Sequence, residues 1–352
     1  MKSHAIIPIF IPHKGCPNSC IFCNQHKITL NEKPVSQNDV AKIIEKHLVT
    51  LKSRNLTTVE AAFYGGSFTG LPIEKQSAYL EVASFYKRHG MFDKIHLSTR
   101  PDYINDSILS NLKRYGVDTI ELGVQSFDDD VLERSNRGHN SSVVYESSRM
   151  IHDYGFELGL QLMVGLPGDT PEKSIYSANE LVKVNPSIAR IYPTIVIEDT
   201  ELHNMVLAGT YTPLTLNESV SIVKTMYQII SSAGINVIRI GLRSADLVEK
   251  AGKNFHPAFR QLIESEIAKT TLDEQLNNDS RLSPLIAEMD RTSGEVAFLP
   301  CVPVTLLSNE KSFSNMIGHC KSNKIYFNTK YPLFKFSYEV DNTLADHQYI
   351  VV

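Results

Sequence analysis

Short β-branched or apolar runs alternate with stretches of helical period from residue 5 to about 240. The runs AIIPIFI (5–11), VEAAFYG (59–65), KIHLST (94–99), TIELGVQ (119–125), ELGLQLMVG (157–165) and IARIYPT (188–194) predict strands. Between them, residues 36–54, 73–89, 105–115, 140–154 and 170–184 predict helices. The strand runs are nearly continuous in apolar character, as strands buried on both faces of a parallel sheet must be. Strand–helix crossovers of this length make right-handed βαβ units. Six strands in this rhythm predict an α/β fold, a partial (β/α)6 barrel. Helical stretches at 200–208 and 216–233 then precede a further strand candidate, INVIRIG (235–241).

After about 243 the rhythm changes. Helical stretches at 256–270 and 283–290 precede strand candidates at 296–306, 323–328 and 333–338, without alternation. A boundary at 243–255 therefore separates a core barrel (1–243) from a smaller α+β C-terminal extension (244–352). The length, 352 residues, fits two such units.

Composition narrows the function classes. Hydrophobic residues are 42% and charged residues 21%, ordinary for a globular protein. A net charge of −4 excludes a highly basic nucleic-acid coat protein, though not a local basic patch. The first apolar run is broken by Pro8 and Pro12 and is too short for an export signal or a membrane span. The chain reads as cytoplasmic, where clustered thiols mean metal or catalysis.

The thiols are clustered. Residues 13–26 read HKGCPNSCIFCNQH, placing Cys16, Cys20 and Cys23 in a Cys-x3-Cys-x2-Cys loop directly after the first predicted strand. Three thiolates this close can hold three irons of a [4Fe-4S] cubane and leave the fourth iron open to a ligand. The other reading is zinc, with His13 or His26 as fourth ligand. Zinc sites usually pair two Cys-x2-Cys units, and this chain has no second pair, so the cluster is preferred.

Other chemistry-bearing residues keep register with that loop. Tyr64-Gly65-Gly66-Ser67-Phe68 ends the second predicted strand, where two glycines let a ligand approach the backbone. Ser98-Thr99-Arg100-Pro101-Asp102 ends the third strand, and Gln125 the fourth, with Arg137 twelve residues later. Gln161 lies on the fifth. The bland alternatives are a plain turn, a buried amide and a surface arginine. All these positions fall near C-terminal ends of successive strands, the face of a β/α barrel where active sites form.

The cysteine loop and these positions together resemble the radical S-adenosylmethionine (SAM) superfamily. The resemblance implies that Cys16, Cys20 and Cys23 hold the cluster, whose open iron is chelated by SAM. It places Phe22 near the adenine, Gly65 and Gly66 at the SAM amino group, and Gln125 and Arg137 at its ribose and carboxylate. Ser98 and Gln161 stand where relatives often carry an acid, and are SAM candidates on that basis. The implied reaction is one-electron cleavage of SAM to a 5′-deoxyadenosyl radical, fed by a donor such as flavodoxin or ferredoxin. No substrate-side acid or base is singled out.

Within that superfamily the stretches STRPDYI (98–104), ELGVQS (121–126), SNRGHNSS (135–142), RIYPTIVIEDTEL (190–202) and AGTYTPLT (208–215) are similar to the radical SAM core of the Elongator catalytic subunit. That resemblance implies tRNA or another large substrate, although residues 250–352 show no recognisable acetyl-CoA loop. Oxygen-independent coproporphyrinogen oxidases share the Gln125 and Arg137 positions, implying the alternative of a small substrate such as a tetrapyrrole. A non-catalytic iron–sulfur or zinc scaffold is the third reading, disfavoured because a scaffold needs no SAM-side residues.

Three further features carry weaker expectations. Cys301 and Cys320, with His319, read as buried small hydrophobes rather than an auxiliary metal site. Tyr192 is either a cavity contact or core packing. From Lys311 to Tyr338 there are five lysines and no acid, interleaved with aromatics, so the extension is offered as a substrate- or RNA-contacting region. The competing reading of the same stretch is a half-buried strand with its rings inward.

Overall fold

The computed structural model describes residues 4–11, 20–24, 35–242, 255–291 and 301–352. Cys16 and the stretch 243–254, which contains most of the expected boundary, lie outside them. The contacts divide the chain into two compact units, Met1–Pro257 and Ala258–Val352.

The first unit is built on seven parallel strands in sequential order: β1 (His4–Ile11), β2 (Thr58–Gly65), β3 (Lys94–Thr99), β4 (Thr119–Gln125), β5 (Glu157–Val164), β6 (Ile188–Pro193) and β7 (Asn236–Ile240). They form a half-barrel, and the expected six strands are joined by the seventh candidate. The connecting helices are α1 (Gln37–Leu51), α2 (Ile73–Arg88), α3 (Asp106–Arg114), α4 (Asp129–Arg134), α5 (Ser141–Asp153), α6 (Pro171–Val184), α7 (Glu201–Leu207) and α8 (Leu216–Ser232). Their starts are set by local chemistry. Ser36 with Asp39 and Thr215 with Glu218 form reciprocal capping boxes for α1 and α8. Asn105, Asp128, Asn140, Thr170 and Thr200 each accept a backbone N–H of the helix that follows.

Strand alternation sorts side chains into two layers. Ile7 and Ile9 of β1, Ile95 and Leu97 of β3, and Ile120, Leu122 and Val124 of β4 are fully buried in the hydrophobic core. The residues between them, including Pro8, Phe10, Ser98, Glu121 and Gly123, line an interior cavity. Side chains that carry chemistry therefore occupy the second layer.

The second unit contains α9 (Phe259–Asn278), α10 (Ser283–Arg291), β8 (Val302–Ser308), α11 (Phe313–Ile317), α12 (Ser322–Lys330), β9 (Phe334–Val340) and β10 (Tyr349–Val351). Strand β8 is central, parallel to β9 and antiparallel to β10. The expected strand at 323–328 is instead helix α12. Adjacent parallel strands need a crossover, and the buried residues Asn323, Phe327 and Tyr331 recur every four positions, a helical period. Phe327, Tyr331 and Phe334 are core residues, with Tyr326, Phe336 and Tyr338 packed against them. The rings of this stretch thus serve packing, and Lys330 is committed to Asp273 at 2.7 Å. Cys301 and Cys320 are exposed, which corrects the expectation of burial. No described helix is long and apolar enough to cross a membrane.

Candidate active site

A cavity of about 480 Å³ opens among the strand ends of the first unit. Cys20, Phe22, Cys23, Gly65, Gly66, Ser98, Gln125, Arg137 and Gln161 all line it. Residues spread over some 140 positions of sequence converge there because consecutive parallel strands end on the same side.

The cysteine segment is held from both sides. Ile21 N–H donates to the Ser135 carbonyl at 3.3 Å, and Leu202 N–H donates to the Ile21 carbonyl at 2.8 Å. Arg137 is buried, not the surface arginine of the bland alternative. Its Nη1 lies 3.0 Å from Cys20 Sγ, and its Nη2 donates to the Gly123 carbonyl. Arg100, which the sequence reading passed over, is buried beside it. It pairs with Asp102 at 2.8 Å, donates to the Arg137 carbonyl, and brings Nη1 to 3.9 Å from the same sulfur. Two guanidiniums bracket one thiol, an environment suited to an electron-rich sulfur.

Gly65 has φ +114°, and a Cβ there would run into the Ile11 carbonyl. Gly66 N–H donates to that carbonyl at 3.2 Å. The first glycine is thus required by the crossing of β1 as well as by any ligand. Gln125 takes φ +73° where the β4–β5 register slips. A non-glycine residue in this region stores strain of a kind that clusters at functional sites. Its Oε1 accepts from Gln161 Nε2 at 3.1 Å, so the two predicted amides touch. Ser98 Oγ donates to Glu121 Oε1 at 3.3 Å, so an acid does stand behind Ser98, supplied by the neighbouring strand.

Below these residues lies a charged network that sequence reasoning missed. Glu121 is 2% exposed and pairs with Arg190 Nε at 2.7 Å. His96, 1% exposed, sits 3.4 Å from Glu121 and 3.6 Å from Glu60, which in turn faces His4 at 3.4 Å. These longer contacts are ion pairs rather than well-formed hydrogen bonds. Burial presses down on the His96 imidazolium, but the carboxylates of Glu121 and Glu60 outweigh it and lift the group to about 9. Burial likewise pushes the Glu121 carboxyl up, and Arg190 and His96 overcome it and hold it below the usual range. Arg190 also donates to Tyr64 Oη at 2.8 Å and Tyr192 Oη at 3.3 Å. Tyr192 lines the cavity, as one of its two readings held. The available signal was a charge at the centre of each apolar run, Glu121 in TIELGVQ and Arg190 in IARIYPT.

Comparison with known proteins decides the family. The radical SAM superfamily model matches residues 10–178, and the model of the radical SAM C-terminal domain matches 186–269. The chain belongs to the radical SAM superfamily. The cofactors of this superfamily are a [4Fe-4S] cluster and SAM. This radical SAM protein is 31% identical over 178 residues to Elongator complex protein 3 of Dictyostelium discoideum, covering 45% of this chain and 32% of that one. It is 32% identical over 130 residues to tRNA uridine(34) acetyltransferase of Methanocaldococcus jannaschii, covering 36% and 24%. The solved structure of Methanocaldococcus infernus Elp3 shares its fold, with TM-score 0.60 at 20% identity over 77% of this chain and 64% of that one. The chain thus matches only a quarter to a third of the length of these two curated relatives.

Proposed function

We propose that this chain binds a [4Fe-4S] cluster through Cys16, Cys20 and Cys23, holds SAM in the adjoining cavity, cleaves it reductively, and directs the resulting radical to tRNA. The observation that carries this reading is the convergence of Cys20, Cys23, Gly65, Gly66, Gln125, Arg137 and Gln161 on one cavity. The donor set fits the cofactors. Arg137 Nε is buried with no acceptor among the described residues, which suits the carboxylate of an amino-acid ligand. When bound, the cluster and SAM supply one-electron cleavage to a 5′-deoxyadenosyl radical.

The chain's own residues hold and shield. Arg137 would carry the ligand carboxylate while its Nη1 faces the Cys20 sulfur, which would couple ligand position to the cluster loop. The Gly65–Gly66 backbone would take the ligand amine, the Gln125–Gln161 amide pair and Ser98 would serve the ribose, and Phe22 would stand near the adenine, all of them lining the one cavity. The apolar part of the wall, Ile6, Pro8, Phe10, Met163 and Ile195, excludes water from the reacting space. Electrons come from a flavodoxin- or ferredoxin-class donor. The tRNA half of the reading is supported by the relative whose name states that substrate.

Anaerobically reconstituted protein with dithionite and SAM is expected to release 5′-deoxyadenosine, and Arg137→Ala or Gln125→Ala to weaken SAM binding with the cluster retained. Binding of tRNA should fall log-linearly with salt as counterions are released. Stoichiometric zinc without sulfide would sink the cluster assignment. Unaltered SAM affinity in both variants would sink the residue assignments.

A further inference from the structure

Arg190 has an unusual set of partners. Its Nε is tied to Glu121 at 2.7 Å, and its two terminal nitrogens donate to the phenol oxygens of Tyr64 and Tyr192. The guanidinium also lies over the Tyr64 ring, 5.0 Å from its centroid. A guanidinium only donates. Each phenol oxygen is therefore an acceptor in these bonds, and its own hydrogen must point elsewhere. Among the described residues neither phenol has an acceptor for that hydrogen. Both side chains are half-buried and line the cavity, so the open direction is the cavity itself.

We infer that Tyr64 and Tyr192 are specificity-determining residues that present two O–H donors to the substrate, selecting keto oxygens on a nucleobase over amino groups at the same edge. This rests on the proposed tRNA reading and deepens it. An edge with keto oxygens satisfies both donors, whereas an exocyclic amino group offers no acceptor to the phenol that meets it and leaves that O–H unpaired. A base that reaches this wall must leave its stack, as substrates of base-modifying enzymes do. The pair is pre-organised. Arg190 is fixed by Glu121, and Glu121 by His96 and Ser98, so the phenols need little reordering when the base arrives. Burial pushes both phenols up despite Arg190 beside them, so they keep their protons as donors. Arg190 is then a positioning residue.

The test compares two tRNA transcripts on one protein, one with its loop uridines retained and one with them replaced by cytidine. The readout is the ratio of the concentrations that half-maximally stimulate 5′-deoxyadenosine release. In the parent this ratio should favour uridine by about 10- to 100-fold. At least one of Tyr64→Phe and Tyr192→Phe, the one whose phenol meets the 4-position where uracil carries an oxygen and cytosine an amino group, should lower it, and the double variant should bring it to within about twofold of unity. A partial loss of folded protein leaves the ratio unmoved because both RNAs meet the same sample. Equal discrimination in parent and double variant would overturn the role of the phenols while the proposed function stands. A parent that cleaves SAM but responds to no tRNA would overturn the tRNA reading, and this inference with it.

Discussion

The two units handle buried polarity in opposite ways. In the second unit each named polar group is spent on the fold itself. Gln275 donates to the Tyr349 carbonyl at 2.8 Å and accepts from Val351 N–H at 2.9 Å, clamping β10 to α9. Asp273 gathers the hydroxyls of Tyr326 and Tyr331 at 3.0 and 2.8 Å, and Asn323 caps the Ser265 and Asn315 carbonyls. In the first unit Glu121, Arg190, Tyr64 and Arg137 face an opening. Burying charge is costly unless it is paired. Polar groups turned toward packed neighbours complete a core, whereas polar groups arranged around space are held ready for something that enters it.

The sharpest break in this comparison is at the cysteines. Cys20→Ala or Cys23→Ala should abolish the iron and acid-labile sulfide bound after anaerobic reconstitution, with the visible absorption lost. Cys301→Ala and Cys320→Ala, both at exposed positions, should leave metal content as it was. Equal loss at Cys320 would mean that the second unit also carries cofactor chemistry.

A smaller effect separates the two kinds of interior. Glu121→Leu leaves Arg190 and His96 without their shared carboxylate and should cost about 3–5 kcal/mol in urea unfolding. Phe327→Ala in the second unit should cost a similar amount, about 3–5 kcal/mol, by leaving a cavity. Adding Arg190→Met to Glu121→Leu should restore much of the first loss, because an apolar replacement of a whole ion pair is often neutral. In a Phe327→Ala background the same change should instead add a further loss, because it leaves Glu121 buried without its partner. If Arg190→Met rescues neither, the first unit's interior charge is not acting as a pair.

The smallest effect is in pH. His96 is raised in the folded state to about 9, above an unfolded value of about 6.5. Its stabilisation is therefore complete below pH 6.5 and is lost as pH rises through 9. The melting temperature should drift down by a few degrees over that window, and His96→Asn should flatten the drift. An unchanged slope in the variant would place the titrating group elsewhere.

Much of the site was readable because its motifs lie at strand ends. The cysteine loop, Gly65–Gly66, Gln125 and Arg137 each follow or finish a run whose period declares a strand, and Gln161 lies within one, so their shared location could be inferred from the sequence. Arg100 was overlooked because its role depends on the Arg137 carbonyl and the Cys20 sulfur, 37 and 80 residues away. The network of Glu60, His96, Glu121 and Arg190 was hidden for a related reason. Each is a polar residue with an apolar neighbour on either side in its strand, and only the assembly of β2, β3, β4 and β6 around one interior shows that they neutralise one another. Helix α12 was misread as a strand because KIYFN carries β-favouring residues, whereas the parallel pairing of β8 with β9 demands a crossover there.

By itself the sequence determined the order of strands in the first unit, the parallel sheet with its strand ends on one side, and the clustering of thiols at residues 16–23, because each is written in neighbours within a few positions. Tertiary structure alone decided which charges pair, that the aromatic stretch of 326–338 is core, and that one arginine turns two tyrosines toward the cavity. Those outcomes depend on contacts across strands, and hydrophobic period records which face a side chain takes but not what it meets there.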